Sequence, residues 1–158
     1  MSGKSLRMRR RTFAAFFLGL IPISVFVHYP VIKGMVGNAI HTAGILVTVL
    51  ALAFAFYVHS LFPSKHDNPG DFDRLLTDGP YRYVRHPFYA AFIVMGFGIA
   101  LFLVSVPGLI FNVLLIPAWV KLAELEEAEL LELWGDEYKR FMETRPRFFP
   151  RMFRRKPG

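Results

Sequence analysis

Residues 78 to 89, Asp78-Gly79-Pro80-Tyr81-Arg82-Tyr83-Val84-Arg85-His86-Pro87-Phe88-Tyr89, set two arginines, a histidine and three tyrosines against the start of a long apolar run. Gly79-Pro80 is turn chemistry, because glycine permits positive φ and proline fixes its own. His86 precedes a proline and is biased toward extended backbone. Pro87 suits the first position of a helix, where a missing N–H costs nothing. His86 is therefore predicted at the N-cap of a helix starting at Phe88. Free backbone N–H groups there, with Arg85 and His86 beside them, make a seat for an anionic group. The same residue types would also serve as a collar, Arg and Tyr anchoring a membrane helix at headgroup level.

A second constellation lies between Glu124 and Met142. On a helical wheel, Glu127 falls within about 40° of Val120, Ala123, Leu131, Trp134, Tyr138 and Phe141, on the apolar stripe. Glu129, Glu132, Asp136, Lys139 and Arg140 fall opposite, as a solvated face would. Glu126 is at the boundary, near Trp119, Leu130 and Glu137. Burying an unpaired carboxylate costs several kcal/mol. Glu127 therefore calls for a cation, and Arg85, Arg147 and Lys121 are the candidates. Glu127, Arg85 and Arg147 are the expected catalytic group; the tail from Arg145, with cations interleaved among aromatics, would bind anionic headgroups, or Arg147 would instead fold back over the site as a lid. Gly135 is a possible helix terminus inside this stretch.

The elements that must position these residues are membrane helices. Of the 158 residues, 54% are hydrophobic and 17 are Phe, and the apolar residues are clustered in long runs. That is too apolar for a soluble domain. Uncharged or nearly uncharged runs at 12–32, 39–61, 88–106 and 109–123 read as four spans. The first follows five basic residues, but its 21 residues exceed a signal-peptide core of about 7–15 and no small-residue cleavage pattern follows. Pro107-Gly108 is expected to form the hairpin between the last two. The polar loop 63–87 joins the second and third spans, and a C-terminal helix with a basic tail occupies 124–158. The fold class is all-α, a polytopic membrane helix bundle forming a single membrane-embedded domain over 1–158.

The net charge of +7 would suit nucleic acid, but the basic residues flank apolar spans instead of striping a soluble module. No nucleic-acid partner is expected, and the bilayer is. With no cysteines, disulfides and thiolate metal sites are excluded. His41 and His59 have no carboxylate or second histidine at ligand spacing, so they read as interhelical hydrogen bonders and no metal site is expected.

The order Gly-Pro-Tyr-Arg-Tyr-x-Arg-His-Pro-x-Tyr at 79–89, Glu126-Glu127, Leu130, Trp134-Gly135, Glu137-Tyr138 and Pro146 to Pro150 resembles the isoprenylcysteine carboxyl methyltransferase and phospholipid methyltransferase superfamily. The resemblance covers roughly residues 73 to 150. It implies an integral membrane enzyme that binds S-adenosylmethionine at the cytosolic face and methylates a lipidic acceptor. Carried over by motif, the cofactor contacts it implies are Leu75, Leu76, Tyr81, His86, Pro87, Phe88, Tyr89 and Glu126. Two positions depart from the pattern. Trp134 stands where Phe is usual, and Leu122 stands where the isoprenylcysteine enzymes carry a substrate-contacting Arg. S-adenosylmethionine carries an ammonium and a carboxylate, so Glu126 or Glu127 would meet the first and His86 the second. Two other classes stay open: a membrane sterol-reductase-like enzyme using NADPH, which shares an Arg-His-Pro-x-Tyr region, and a non-catalytic membrane protein. Isothermal titration with S-adenosylmethionine and with NADPH separates the three.

Topology follows from charge. Placing 1–11, 63–87 and 121–158 on one side gathers 5, 4 and 9 Lys or Arg and leaves Lys33 alone on the other. The positive-inside rule then puts both termini in the cytoplasm. A thiol label at Lys33→Cys, in a chain with no other cysteine, is expected to react from the non-cytoplasmic side, and labelling only from the cytoplasm refutes the arrangement.

Overall fold

In the computed structural model, residues 34–62 and 74–150 are described. The expected first span at 12–32, the basic segment before it and the tail beyond Pro150 lie outside them, as does the first part of the 63–87 loop. Among the described residues there are three α-helices and no strand. Helix α1 is Gly34–Ser60, α2 is Pro87–Phe102, and α3 is Val106–Thr144, with a short 3-10 turn at Gly79–Arg82 before α2. Helices α1 and α3 are long and apolar enough to cross a membrane, while α2, also apolar, has 16 residues. The described residues form two units, one of 34–54 and 91–117, the other of 55–62, 74–90 and 118–150.

The first unit is built on small residues. On α1, Gly37, Gly44 and Ala51 are buried at intervals of seven, while Val36, Leu46, Val49 and Leu50 are exposed. An exposed stripe this apolar belongs in lipid, where helices associate through small residues that let backbones approach. A side chain at Gly44 would meet the backbone of Leu101 and Phe102, and one at Gly98 would meet Thr48. Polar groups at these contacts are satisfied locally. The His41 ring bonds the Phe102 carbonyl through Nδ1 at 2.6 Å, and the Asn112 amide donates to the carbonyls of Gly96 and Gly108 at 3.1 and 2.9 Å.

The hairpin between α2 and α3 is earlier than expected. Helix α2 ends at Phe102, inside the expected 88–106 span, and the reversal occupies 103–105 with Val104 at φ 49°. The cause is an N-cap that outranks Pro107-Gly108 as a break. Ser105 Oγ accepts from the Gly108 N–H at 3.1 Å and its carbonyl accepts from Leu109. Pro107 then sits in the first turn of α3, where it needs no hydrogen bond.

In the second unit, α3 continues as a charged helix to Thr144. Its buried positions before the break, Trp119, Ala123 and Glu127, recur every four residues. At Gly135 the backbone leaves the helix, φ 51° and ψ −125°, and Tyr138 and Phe141 are buried after it. Only glycine takes that conformation without strain.

The close approach at Gly44 gives a direct test. Gly44→Ala is expected to cost about 1–3 kcal/mol through overpacking against the Phe102 backbone. Ala43→Val, on the exposed face, is expected to leave stability unchanged. Thermal midpoints in detergent compare the two, and equal midpoints would remove the packing role assigned to Gly44.

Candidate functional site

The site residues sit at the start of α2, on the charged part of α3 and on the segment after Thr144. Gly79, at φ 56°, and Pro80 initiate the 3-10 turn, which presents Tyr81. The chain then runs extended into Pro87, and His86 caps α2 by accepting from the Ala90 N–H at 3.1 Å. The backbone N–H groups of Arg85 and His86 are not left open. They donate to the carbonyls of Pro146 and Arg147, each at 2.9 Å. The segment 145–150 is thereby strapped along residues 85 and 86.

Glu127 organises the centre of this arrangement. It is 3% exposed and accepts from three cationic or ionisable side chains. His86 Nε2 lies 3.0 Å from its Oε1, and Arg85 Nη2 lies 3.2 Å from the same oxygen. Arg147 grips it with two nitrogens, Nε on Oε1 at 3.2 Å and Nη2 on Oε2 at 2.8 Å. The two-point geometry is the strong form of the carboxylate–guanidinium pair. It raises the Arg147 pKa: the Glu127 hydrogen bond favours the charged form, and burial opposes it.

Glu126, the neighbour, faces differently. It accepts from the Tyr89 hydroxyl, lies 3.8 Å from His86 Nδ1 and keeps about a third of its side chain exposed. It also lines a cavity of about 90 Å³, together with Leu75, Leu76, Tyr81, Arg85 and aromatic residues of α3. Burial, and then the Glu126 charge, push the Tyr81 phenol above its ordinary range, so Tyr81 is a neutral donor at physiological pH. The His86 ring stacks on Tyr89 at 5.3 Å and 6°, and Tyr89 packs against Trp119 at 5.8 Å.

The expected site residues therefore divide. Leu75, Leu76, Tyr81, Arg85 and Glu126 line the cavity. Tyr89 reaches it through Glu126, Pro87 is fully buried, and Phe88 packs toward His59 and Phe62. Glu127 and Arg147 bind each other. The expectation of an anion on His86 meets a different arrangement: its ring nitrogens are near two carboxylates, which repel an anion. Sequence reading left Phe62, Arg74, Leu130, Trp134, Tyr138 and Phe141 out of the site, and all six line the cavity. Leu130 and Trp134, four and eight residues after Glu126, were the available signal for the part of the wall that precedes the break at Gly135. Nothing local marks Phe62 or Arg74.

These helices, with their lipid-facing stripes and a polar centre at one helix start, define an all-helical integral membrane protein. Residues 32–137 match the phospholipid methyltransferase family, and the chain belongs to it. It is also similar to Protein-S-isoprenylcysteine O-methyltransferase of Schizosaccharomyces pombe, 35% identical over 77 residues that make up 48% of this chain and 33% of that protein. The chain thus matches about a third of the length of that relative.

Removing Glu127 leaves buried cations facing one another. Glu127→Ala is expected to destabilise the protein by about 3–5 kcal/mol, the cost of breaking a buried ion pair, whereas Glu132→Ala on the exposed face stays within about 0.5 kcal/mol. Denaturation in micelles measures both, and a Glu127→Ala loss no larger than the Glu132→Ala loss refutes the anchoring role.

Proposed function

We propose that the protein is an S-adenosylmethionine-dependent methyltransferase acting at the cytosolic membrane face on a lipidic acceptor. The observation that carries this reading is the cavity: a carboxylate, a guanidinium and aromatic rings share one wall, within a chain of the phospholipid methyltransferase family. The donor set fits the cofactor. S-adenosylmethionine carries a sulfonium, an ammonium and one carboxylate, a single net positive charge, and Glu126 supplies the matching negative charge. The rings of Tyr81 and Trp134 supply faces that attract a sulfonium. At about 90 Å³ the cavity takes one end of such a molecule, and its opening leaves the rest outside.

When bound, the cofactor supplies an electrophilic methyl group for transfer to a nucleophile. The chain's own part is mostly positioning, an effect worth up to about 7–11 kcal/mol. Tyr89 orients Glu126 by donating to it. Tyr81, held neutral, brings a hydroxyl donor to the same cavity. Leu75 and Leu76 exclude water. Glu127, His86 and Arg147 keep the turn, α3 and the strap in register so that Arg85 and Glu126 stay at the wall. Deprotonation of the acceptor matters only if it arrives protonated, as an amine does.

The acceptor is a membrane lipid or lipid-modified group bearing a carboxylate, amine or thiol. The family description favours a phospholipid, and the relative's name favours an isoprenylcysteine. Four spans with both termini in the cytoplasm would deliver such an acceptor sideways from the bilayer. Incubating purified protein with radiolabelled cofactor and total lipid extract, then identifying the labelled product, tests the reaction.

Glu126→Gln is expected to weaken cofactor binding by about 1.5–3 kcal/mol, roughly ten- to a hundredfold, the range for a hydrogen bond to a charged group. Isothermal titration reads it. Affinity within twofold of wild type in a folded variant would sink the role given to Glu126.

A further inference from the structure

Two donors on cavity-lining residues have no hydrogen-bond partner among the described residues: the Nε–H of Arg85 and the hydroxyl of Tyr138. Tyr138 is 1% exposed. The terminal nitrogens of Arg85 are already used, Nη2 on Glu127 at 3.2 Å and Nη1 on the Met142 carbonyl at 3.3 Å. That leaves its Nε without an acceptor. Buried donors without acceptors are rare, because each loses its water and gains nothing. A pair of them on residues that share one cavity calls for a group that only accepts, and a carboxylate is such a group.

Charge points the same way. Two cations line the cavity, Arg85 and Arg74, and Arg74 is exposed and paired with Asp78 at 3.3 Å. The Tyr138 hydroxyl feels the charges of Glu127 and Glu126, opposed by those of Arg85 and Arg147. Glu126, on the same cavity, repels an isolated anion. A ligand bearing an ammonium as well as a carboxylate satisfies both ends at once. His86, flanked by two carboxylates, is poorly placed to compete for the anion.

We infer that Arg85 and Tyr138 form a carboxylate seat in this cavity, separate from the cation seat at Glu126. The inference rests on the methyltransferase reading and specifies one end of its site. Both donors are closed to water, so the seat completes itself as the anion draws the two side chains to the cavity surface. A carboxylate arrives there from either of two sources: the amino-acid end of the cofactor, or an acidic acceptor such as a prenylated cysteine.

Titration calorimetry on the full chain in micelles separates the sources. The cofactor arm uses S-adenosylhomocysteine and its decarboxylated analogue, and the acceptor arm uses N-acetyl-S-farnesylcysteine and its methyl ester. Tyr138→Phe and Arg85→Lys are each expected to weaken the carboxylate-bearing member of one pair about tenfold and leave its carboxylate-free partner unchanged. The affected pair names the source. Without ligand, Tyr138→Phe is expected to melt no lower than wild type, since the hydroxyl it removes has no partner. A lower midpoint, no loss in either pair, or equal loss within a pair overturns the seat. Wild-type protein that binds no S-adenosylhomocysteine defeats the methyltransferase reading and the seat with it, whereas wild-type binding with Tyr138→Phe affinity unaltered in both pairs defeats the seat alone.

Discussion

One buried carboxylate ties three distant pieces of chain together. Glu127 comes from the middle of α3, His86 and Arg85 from the turn before α2, and Arg147 from beyond the end of α3. Separations of 41 and 20 residues meet at two oxygen atoms. A charge removed from water at such a position is tolerated only when its partners are complete. The requirement therefore fixes where all three pieces lie. The strap obeys it twice, since its backbone carbonyls also satisfy the N–H groups of Arg85 and His86. Local conformation, ion pairing and backbone hydrogen bonding agree on one arrangement, and agreement across levels makes a structure specific.

Adjacent glutamates have taken opposite duties for a simple geometric reason. Neighbouring residues on a helix point about 100° apart, so Glu127 can face the interior while Glu126 faces the cavity. The first is saturated with cations and the second keeps part of its surface. A carboxylate that anchors and one that is open to a ligand need different environments, and the helix supplies both from consecutive positions.

Much of this was legible in the sequence. The apolar period of α3 put Glu127 inward, and the cost of an unpaired buried charge called for Arg85, Arg147 or Lys121; both arginines are partners, whereas Lys121 pairs with Glu124. The membrane class followed from composition, and the turn at Gly79-Pro80 and the helix start at Pro87 from their own chemistry. What escaped was of two kinds. Some was competition between local signals: Ser105 capped α3 and moved the hairpin ahead of Pro107-Gly108. The rest was long-range. No pattern in the sequence says that residues 146 and 147 accept hydrogen bonds from residues 85 and 86, or that Phe62 joins the wall beside Tyr138, because such contacts depend on the fold and not on spacing.

The break at Gly135 settles how one helix can furnish so much of a wall. Glu126, Leu130, Trp134, Tyr138 and Phe141 all reach the same cavity. Positions four apart on a regular helix drift by about 40° at each step, so three such steps carry a side chain about 120° around the axis. An uninterrupted α3 would have wound Tyr138 away from the space that Glu126 faces. The glycine resets the phase, as a splice in a screw thread brings a later groove back under an earlier one. Tyr138 is thereby available to a ligand held by Glu126, although twelve residues separate them.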